Sequence, residues 1–155
     1  MEAIAREAGI AKPTLYAQFA DKDAIFSAMV DMLMDELLVA YDSGMRSAGD
    51  AAERIGNALA GQYAVLARQL DGSPHAAELM SEHKRVGLKF RDKDMRTETE
   101  IADALRAAGV AEPEMVTRLV THAAYGIAFK SRDEAEMAAA IRLMCRRVIG
   151  PELSE

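Results

Sequence analysis

The sequence predicts an all-α fold built from several amphipathic helices. Apolar residues recur with the helical period of 3.6 through most of the chain, whereas alternation with the strand period of two is scarce. Glycine and proline stand where helices of ordinary length should end, at Gly109 and at Gly150-Pro151. Half of the 155 residues are apolar, which is enough for one compact core and a small appendage.

Residues 1–19 carry the pattern of two short helices joined by a tight turn. Gly9 interrupts the first helical segment, and Ile10 is expected to fill the corner that follows. Leu15 and Phe19 lie four residues apart in the second segment and therefore share one face. A short glycine turn lets the second helix lie across the first, as in a helix-turn-helix unit that enters the major groove of DNA.

Six further helices are predicted downstream. The first begins at Asp21 or Lys22 and links the DNA-binding head to the rest of the chain. The other five are expected over residues 51–70, 75–86, 89–108, 113–130 and 133–149. We therefore divide the chain into a helix-turn-helix head with its linking helix, residues 1–43, and a helical-bundle body, residues 44–155. The family resemblance described next implies that the head is partial and that the body binds a ligand and dimerises.

The first two segments resemble the TetR family of bacterial repressors. The resemblance is carried by Glu2-Ala3-Ile4-Ala5-Arg6-Glu7-Ala8-Gly9-Ile10, by Lys12-Pro13-Thr14-Leu15-Tyr16, and by Phe19 and Lys22. It implies a homodimer that binds a palindromic double-stranded DNA operator. It also implies a repressor that is released when a small-molecule effector binds to the body.

Side-chain chemistry indicates how the second helix would read DNA. Gln18 can bind adenine through two hydrogen bonds, Lys12 can reach guanine or a phosphate, and Ala17 can touch a thymine methyl group. The resemblance implies that Thr14, Tyr16 and Lys22 bind phosphate oxygens, which position the protein without reading sequence. Tyr16 as a packing residue and Lys22 as a solvated lysine are the alternatives. The predicted DNA contacts are Lys12, Pro13, Thr14, Tyr16, Ala17, Gln18 and Lys22.

The chain departs from the TetR pattern at its start, because members of the family have a further basic helix before these two. We therefore expect Met1 to be an internal methionine of a longer natural protein, which an intact-mass measurement would test. Without that helix, Ile4, Leu15 and Phe19 are expected to lack a packing partner, so that the head is loose.

Residues 1–24 carry three basic and four acidic side chains. With a net charge of −6 on the whole chain, DNA affinity must be local and dimer-dependent.

The last two helices are predicted to form the dimer interface, because the resemblance implies a four-helix contact between two subunits. The alternative is that their apolar faces cover the monomer's own core. The predicted interface residues are Val116, Leu119, Val120, Ala123, Ile127, Ile141, Met144, Cys145 and Val148.

An effector site between the middle helices is also implied by the resemblance. Methionine and aromatic side chains there suit a deformable pocket, although simple core packing is the alternative. The candidate ligand-binding residues are Tyr63, Leu66, Met80, Phe90, Met95, His122 and Tyr125.

The sequence lacks the common motifs of catalytic sites, which argues against an enzyme. His75 and His83 are eight residues apart, which is not the spacing of a zinc protease, and neither a nucleophile elbow nor a glycine-rich phosphate loop is present. The basic residues between Lys84 and Arg96 alternate with acids and are expected to form a solvated face. A single cysteine, Cys145, excludes an intrachain disulfide and a thiolate zinc site.

No cofactor, metal or membrane partner is therefore expected. No apolar stretch approaches the roughly 18 residues of a membrane span, and we expect a cytoplasmic protein. Besides the regulator, two other functions stay open. The first is a helical ligand-binding or dimerisation protein that lacks a functional DNA reader, and the second is a small helical enzyme.

Overall fold

The computed structural model describes residues 1–70 and 84–153, and over these ranges it contains helices and turns but no strand. The all-α prediction is confirmed. The helices are α1 (Glu2–Glu7), α2 (Lys12–Gln18), α3 (Lys22–Met45), α4 (Ala51–Leu70), α5 (Lys84–Ala107), α6 (Pro113–Lys130) and α7 (Glu134–Ile149), and a short 3-10 turn, Gly150–Glu152, follows. None of the described helices is long and apolar enough to span a bilayer.

One predicted helix boundary is wrong. The helix expected over residues 75–86 lies mostly outside the described residues, but its last three residues belong to α5, which continues through Gly87 and Leu88 without a break. A Cβ atom at Gly87 would meet no other atom within 4 Å, so this glycine marks neither a turn nor a close approach. Glycine inside a helix costs only about 1 kcal/mol relative to alanine, which the packing of a long helix can offset.

The chain forms two compact units, Met1–Leu33 and Met34–Glu155, hereafter the N-terminal and C-terminal units. They divide inside α3, ten residues before the predicted boundary at residue 43. The last three turns of α3 belong to the C-terminal unit because Leu37 and Tyr41 are buried there.

The core of the C-terminal unit surrounds α4, which packs chiefly against α7 and also against α5 and α6. Its largest buried side chains belong to α3, α4, α5, α6 and α7, and each stabilises the fold by roughly 1.5–3 kcal/mol through burial. They are Tyr41, Ile55, Leu59, Ile101, Leu105, Val120, Met137, Ile141, Cys145 and Ile149.

Small residues let the neighbours of α4 approach it closely. A Cβ atom added at Gly44 would lie 2.2 Å from the backbone nitrogen of Ala58 in α4. On α4 itself, a Cβ at Gly56 would lie 3.3 Å from the Cβ of Cys145, and one at Gly61 would lie 3.2 Å from the carbonyl oxygen of Ala40. Backbones therefore meet on two sides of α4, towards α3 and towards α7.

Polar caps and a glycine turn fix where the helices of this unit begin and end. Asp50 accepts a hydrogen bond from the Glu53 N–H at 2.8 Å, and the Glu53 carboxylate accepts one from the Asp50 N–H at 3.2 Å, a reciprocal capping box before α4. α5 ends at Gly109, where φ is +81° and the Val110 N–H donates to the Leu105 carbonyl at 3.1 Å. Gly109 is therefore the C-terminal glycine that the sequence predicted.

Candidate DNA-binding surface and C-terminal cavity

A left-handed glycine closes the turn between α1 and α2. Gly9 has a φ of +67°, and the N–H of Ile10 donates to the carbonyl of Ala5 at 3.0 Å while the N–H of Gly9 donates to that of Arg6 at 3.2 Å. This pair of bonds ends α1 in the manner of a Schellman motif. α2 then begins with Pro13 in its first turn. Backbone N–H groups at this position have no partner within the helix, so the missing N–H of proline costs no hydrogen bond.

The interior of the N-terminal unit contains Ala5 and Leu15. Leu15 is only 4 % exposed, so the expectation that it lacks a packing partner was wrong, and Phe19 and Ile4 are half-buried. Ile10 is exposed and does not fill the corner, and the buried residues at the turn are Ala5 and Leu15.

The polar face of α2 is open to solvent. Lys12, Pro13, Thr14, Tyr16, Ala17, Gln18 and Lys22, the seven predicted DNA contacts, are all exposed. Their exposure leaves these side chains accessible to a groove or a phosphate backbone.

An ion pair between Lys12 and Glu2 joins the first turns of α2 and α1. The hydrogen bond between the two side chains lowers the pKa of the Glu2 carboxyl and raises the pKa of the Lys12 ammonium, and their mutual attraction adds to both shifts. Sequence reasoning missed this pair because the residues are ten apart and meet only across the turn. A phosphate group that binds Lys12 has to displace the Glu2 carboxylate from it.

The start of α3 carries a second acidic contact. Asp21 accepts a hydrogen bond from the Ala24 N–H at 2.8 Å and so caps the helix, while Lys22 is its exposed first residue. One of the free N–H groups that would attract a phosphate at this terminus is thus already occupied by a carboxylate.

The N-terminal residues match a known family. The model for bacterial regulatory proteins of the tetR family matches residues 1–29, which comprise α1, the Gly9 turn, α2 and the beginning of α3. Residues 1–29 are therefore similar to the N-terminal DNA-binding domain of TetR-family regulators. This match supports a DNA-binding transcriptional regulator, and TetR proteins are a family of regulators rather than of enzymes. No curated protein and no solved structure matches the chain.

The C-terminal unit contains a cavity of about 240 Å³ between α3, α4, α5 and α6. Its lining residues are Leu37, Gln62, Tyr63, Leu66, Gly87, Phe90, Lys93, Asp94, Tyr125 and Phe129. Four of the seven candidate ligand residues, Tyr63, Leu66, Phe90 and Tyr125, are thus brought together.

The other three candidate ligand residues are not part of this lining. Met95 and His122 are exposed to solvent and do not line the cavity. Met80 lies outside the described residues.

One wall of the cavity is polar. The Lys93 side chain is only 8 % exposed, and its Nζ lies 2.8 Å from Asp94 Oδ1 and 3.3 Å from Oε1 of buried Gln62. Burial, with the nearby Asp94 charge, raises the pKa of Tyr63, whose phenol therefore stays protonated as a donor. The prediction that the basic residues between Lys84 and Arg96 form a solvated face is wrong for Lys93. Its position three residues after Phe90, on the same face, was the available signal.

A second part of the lining is apolar and aromatic. The rings of Tyr125 and Phe129, one turn apart on α6, lie with centroids 4.6 Å apart at an angle of 43°. Phe90, Leu66 and Leu37 complete this side. Together the two walls offer a flat apolar group a place to pack and a polar group a charged partner.

The predicted dimer residues fall into three groups. Val120, Ile141 and Cys145 are fully buried in the core of the C-terminal unit, so for them the interface prediction is corrected: a side chain without exposed surface cannot meet a second subunit. Val116, Ala123, Ile127, Met144 and Val148 are half-buried. Only Leu119 is largely exposed, and α6 and α7 also carry the exposed apolar residues Met115 and Leu143, which were not among the predicted set.

No metal-binding group of three or more suitable side chains is found within residues 1–70 and 84–153. His75 and His83, whose spacing argues against a zinc protease site, lie outside these ranges. Burial raises the pKa of the Cys145 thiol to about 12, so it is protonated at neutral pH.

Proposed function

We propose that the chain is a TetR-family regulator, a homodimeric repressor that binds a palindromic operator and is released by a small-molecule effector held in the C-terminal cavity. The observation that carries the DNA-binding part is the exposed polar face of α2 directly after the left-handed Gly9 turn. Gln18 reads adenine, Ala17 contacts a thymine methyl group, and Lys12 contacts guanine or phosphate. Thr14, Tyr16 and Lys22 hold phosphates, and Pro13 fixes the start of the reading helix.

A second copy of the chain covers the exposed apolar residues of α6 and α7. Met115, Leu119 and Leu143 are 54, 53 and 49 % exposed. Met115 and Leu119 are four residues apart on one face of α6, and exposed His122 follows on that same face. Covering this face on a two-fold axis removes apolar surface from water and presents two reading helices to two half-sites about 34–36 Å apart.

The effector acts through the difference in its affinity for two forms of the dimer. A ligand shifts a conformational equilibrium only as far as it binds one form more tightly than the other. The C-terminal cavity is the proposed site of this binding. In the form that the effector favours, the two α2 helices of the dimer are no longer spaced to fit the operator, and the protein leaves the DNA.

DNA recognition is tested by fluorescence anisotropy with DNA that flanks the regulator's own gene, against a scrambled duplex of equal length, over a range of salt concentrations. Gln18→Ala should reduce the preference for the flanking DNA by about 1–3 kcal/mol. Thr14→Ala should weaken binding to both duplexes alike. Lys130→Ala, at the exposed end of α6, is the control. Equal affinity for both duplexes in the unaltered protein would contradict the proposal.

The dimer is tested by sedimentation equilibrium. Leu119→Arg should convert the dimer to a monomer, because it places a charge in the covered face. Val39→Arg is the matched control, since Val39 is an exposed apolar residue of α3. A monomeric unaltered protein, or a Leu119→Arg variant that stays dimeric, would rule out this interface.

A second candidate function is a ligand-binding dimer without an effective DNA reader. It is favoured by the charge of residues 1–24, where four acidic side chains outnumber three basic ones, and by the pairing of Lys12 with Glu2. It predicts a stable dimer that binds both duplexes weakly and without preference in the anisotropy experiment.

A further inference from the structure

We propose that the C-terminal cavity binds a small aromatic carboxylate, with the carboxylate group at Lys93 and the ring between Phe90, Leu66 and Phe129. The inference rests on the proposed effector site and names its ligand class. It depends on a charge placed on the cavity wall and on the size and shape of the apolar space beside it.

The charge is the ammonium group of Lys93. An ammonium group has three N–H donors and no acceptor, and within the described ranges two of them have acceptors, Asp94 Oδ1 and Gln62 Oε1. The side chain is more than nine-tenths buried, where charges are costly unless they are paired. A ligand carboxylate supplies an acceptor and a negative charge at this nitrogen.

The present partner of Lys93 is easily replaced. The Asp94 side chain is 60 % exposed and can be hydrated when its oxygen leaves the ammonium group. A ligand carboxylate that enters the cavity is shielded from water on several sides, so its attraction to Lys93 is screened less than that of Asp94. A cationic ligand would instead bring a like charge to Lys93, and a neutral one would add a hydrogen bond without the charge.

The space beside Lys93 fits one ring. A cavity of about 150 Å³ is known to hold benzene, and the cavity here measures about 240 Å³, which leaves room for an acid group on a short linker. Phe90 and Phe129 present aromatic faces and edges to such a ring. Tyr63, kept protonated by burial, adds a hydroxyl donor at the same end as Lys93.

The test is isothermal titration calorimetry of the full chain at pH 7 with phenylacetate, phenylacetamide and phenethylamine, which share a ring and linker and differ in charge. Phenylacetate should bind in the millimolar range or below, at least about tenfold more tightly than the amide. Binding of the amide or the amine as tightly as the acid, or binding of none of the three, would overturn the proposal.

Two lysine variants distinguish binding at Lys93 from a nonspecific attraction of the anion to the positive charges of the protein. Lys93→Met should weaken phenylacetate about 10- to 100-fold and leave phenylacetamide nearly unchanged, whereas Lys89→Met, on the same helix but outside the lining, should leave both unchanged. A Lys93→Met variant that keeps full affinity for phenylacetate would refute the assignment. Because the titration contains no DNA, a negative result would contradict the ligand assignment without bearing on operator binding.

Discussion

Replacing Gly44 with alanine should destabilise the C-terminal unit strongly, although the change adds a single methyl group. The added Cβ would lie 2.2 Å from the Ala58 nitrogen, about 1.2 Å short of the 3.4 Å at which ordinary contact begins. It would also lie 2.3 Å from the Ala58 Cα and 2.5 Å from the carbonyl carbon of Asn57. All three atoms belong to the backbone, so no side chain can rotate away and the helices α3 and α4 must separate.

The magnitude follows from two opposing contributions. Overpacking costs about 1–3 kcal/mol where side chains can yield, so contact with backbone places Gly44→Ala at about 3 kcal/mol or more. Alanine returns up to about 1 kcal/mol through its greater helix propensity. The net loss in the free energy of unfolding is at least about 2 kcal/mol, which corresponds to a fall in Tm of about 4–8 °C for a chain of this size.

Urea unfolding followed by far-ultraviolet circular dichroism measures this loss. Gly87→Ala is the matched control, because a Cβ there meets no atom within 4 Å and the same gain in helix propensity should leave the protein equally or more stable. If Gly44→Ala unfolds at the same urea concentration as the unaltered protein, the close approach of α3 and α4 does not exist and the reasoning fails.

Four other predictions concern single contacts. Gly109→Ala should cost about 1 kcal/mol in urea unfolding because φ is +81°, and Gly109→Asn should cost less, since asparagine tolerates that conformation better; equal losses would contradict this. Asp50→Ala should cost about 1 kcal/mol through loss of the α4 cap, and Asp50→Ser should recover most of it. Burial raises the pKa of Cys145 to about 12 from an ordinary 9.0, so at pH 8 the thiol is protonated; iodoacetamide should modify it in urea but not in the native protein, as mass spectrometry would show. Glu2→Gln should free Lys12 for a phosphate, which strengthens DNA binding and steepens its salt dependence by about one unit in anisotropy titrations, whereas an unchanged slope would mean that Lys12 does not reach DNA.

The helices with clear ends could be predicted from the sequence. The helix expected over residues 51–70 is α4, and that over residues 113–130 is α6, because a capping aspartate, a first-turn proline and a terminal glycine define such helices locally. The α1–Gly9–α2 turn was equally readable, since left-handed backbone favours glycine wherever it occurs. The beginning of α5 was not, because Gly87 imitates a helix end and only tertiary packing shows that the helix continues.

The packing partner of an apolar face could not be predicted. Val120 and Leu119 are neighbours on α6 and both are apolar, yet one is fully buried and the other is half exposed. Periodicity shows that a face is apolar but not whether it meets its own chain or another. The polar wall of the cavity was missed for a related reason: Lys93 and Gln62 are typical of solvated helix surfaces, and their burial depends on contacts between α4 and α5 that are distant in sequence.

The tight packing around α4 limits how the cavity can acquire a new ligand by mutation. With Gly61 against the backbone of α3 and Gly56 against α7, this helix cannot slide or rotate without collisions on one side or the other. Laboratory evolution of ligand binding in this cavity should therefore retain both glycines and proceed by exchanging side chains while the helices stay in place. Selected substitutions would accumulate at Gln62, Phe90 and Lys93, where size and charge can change while the helices remain in place.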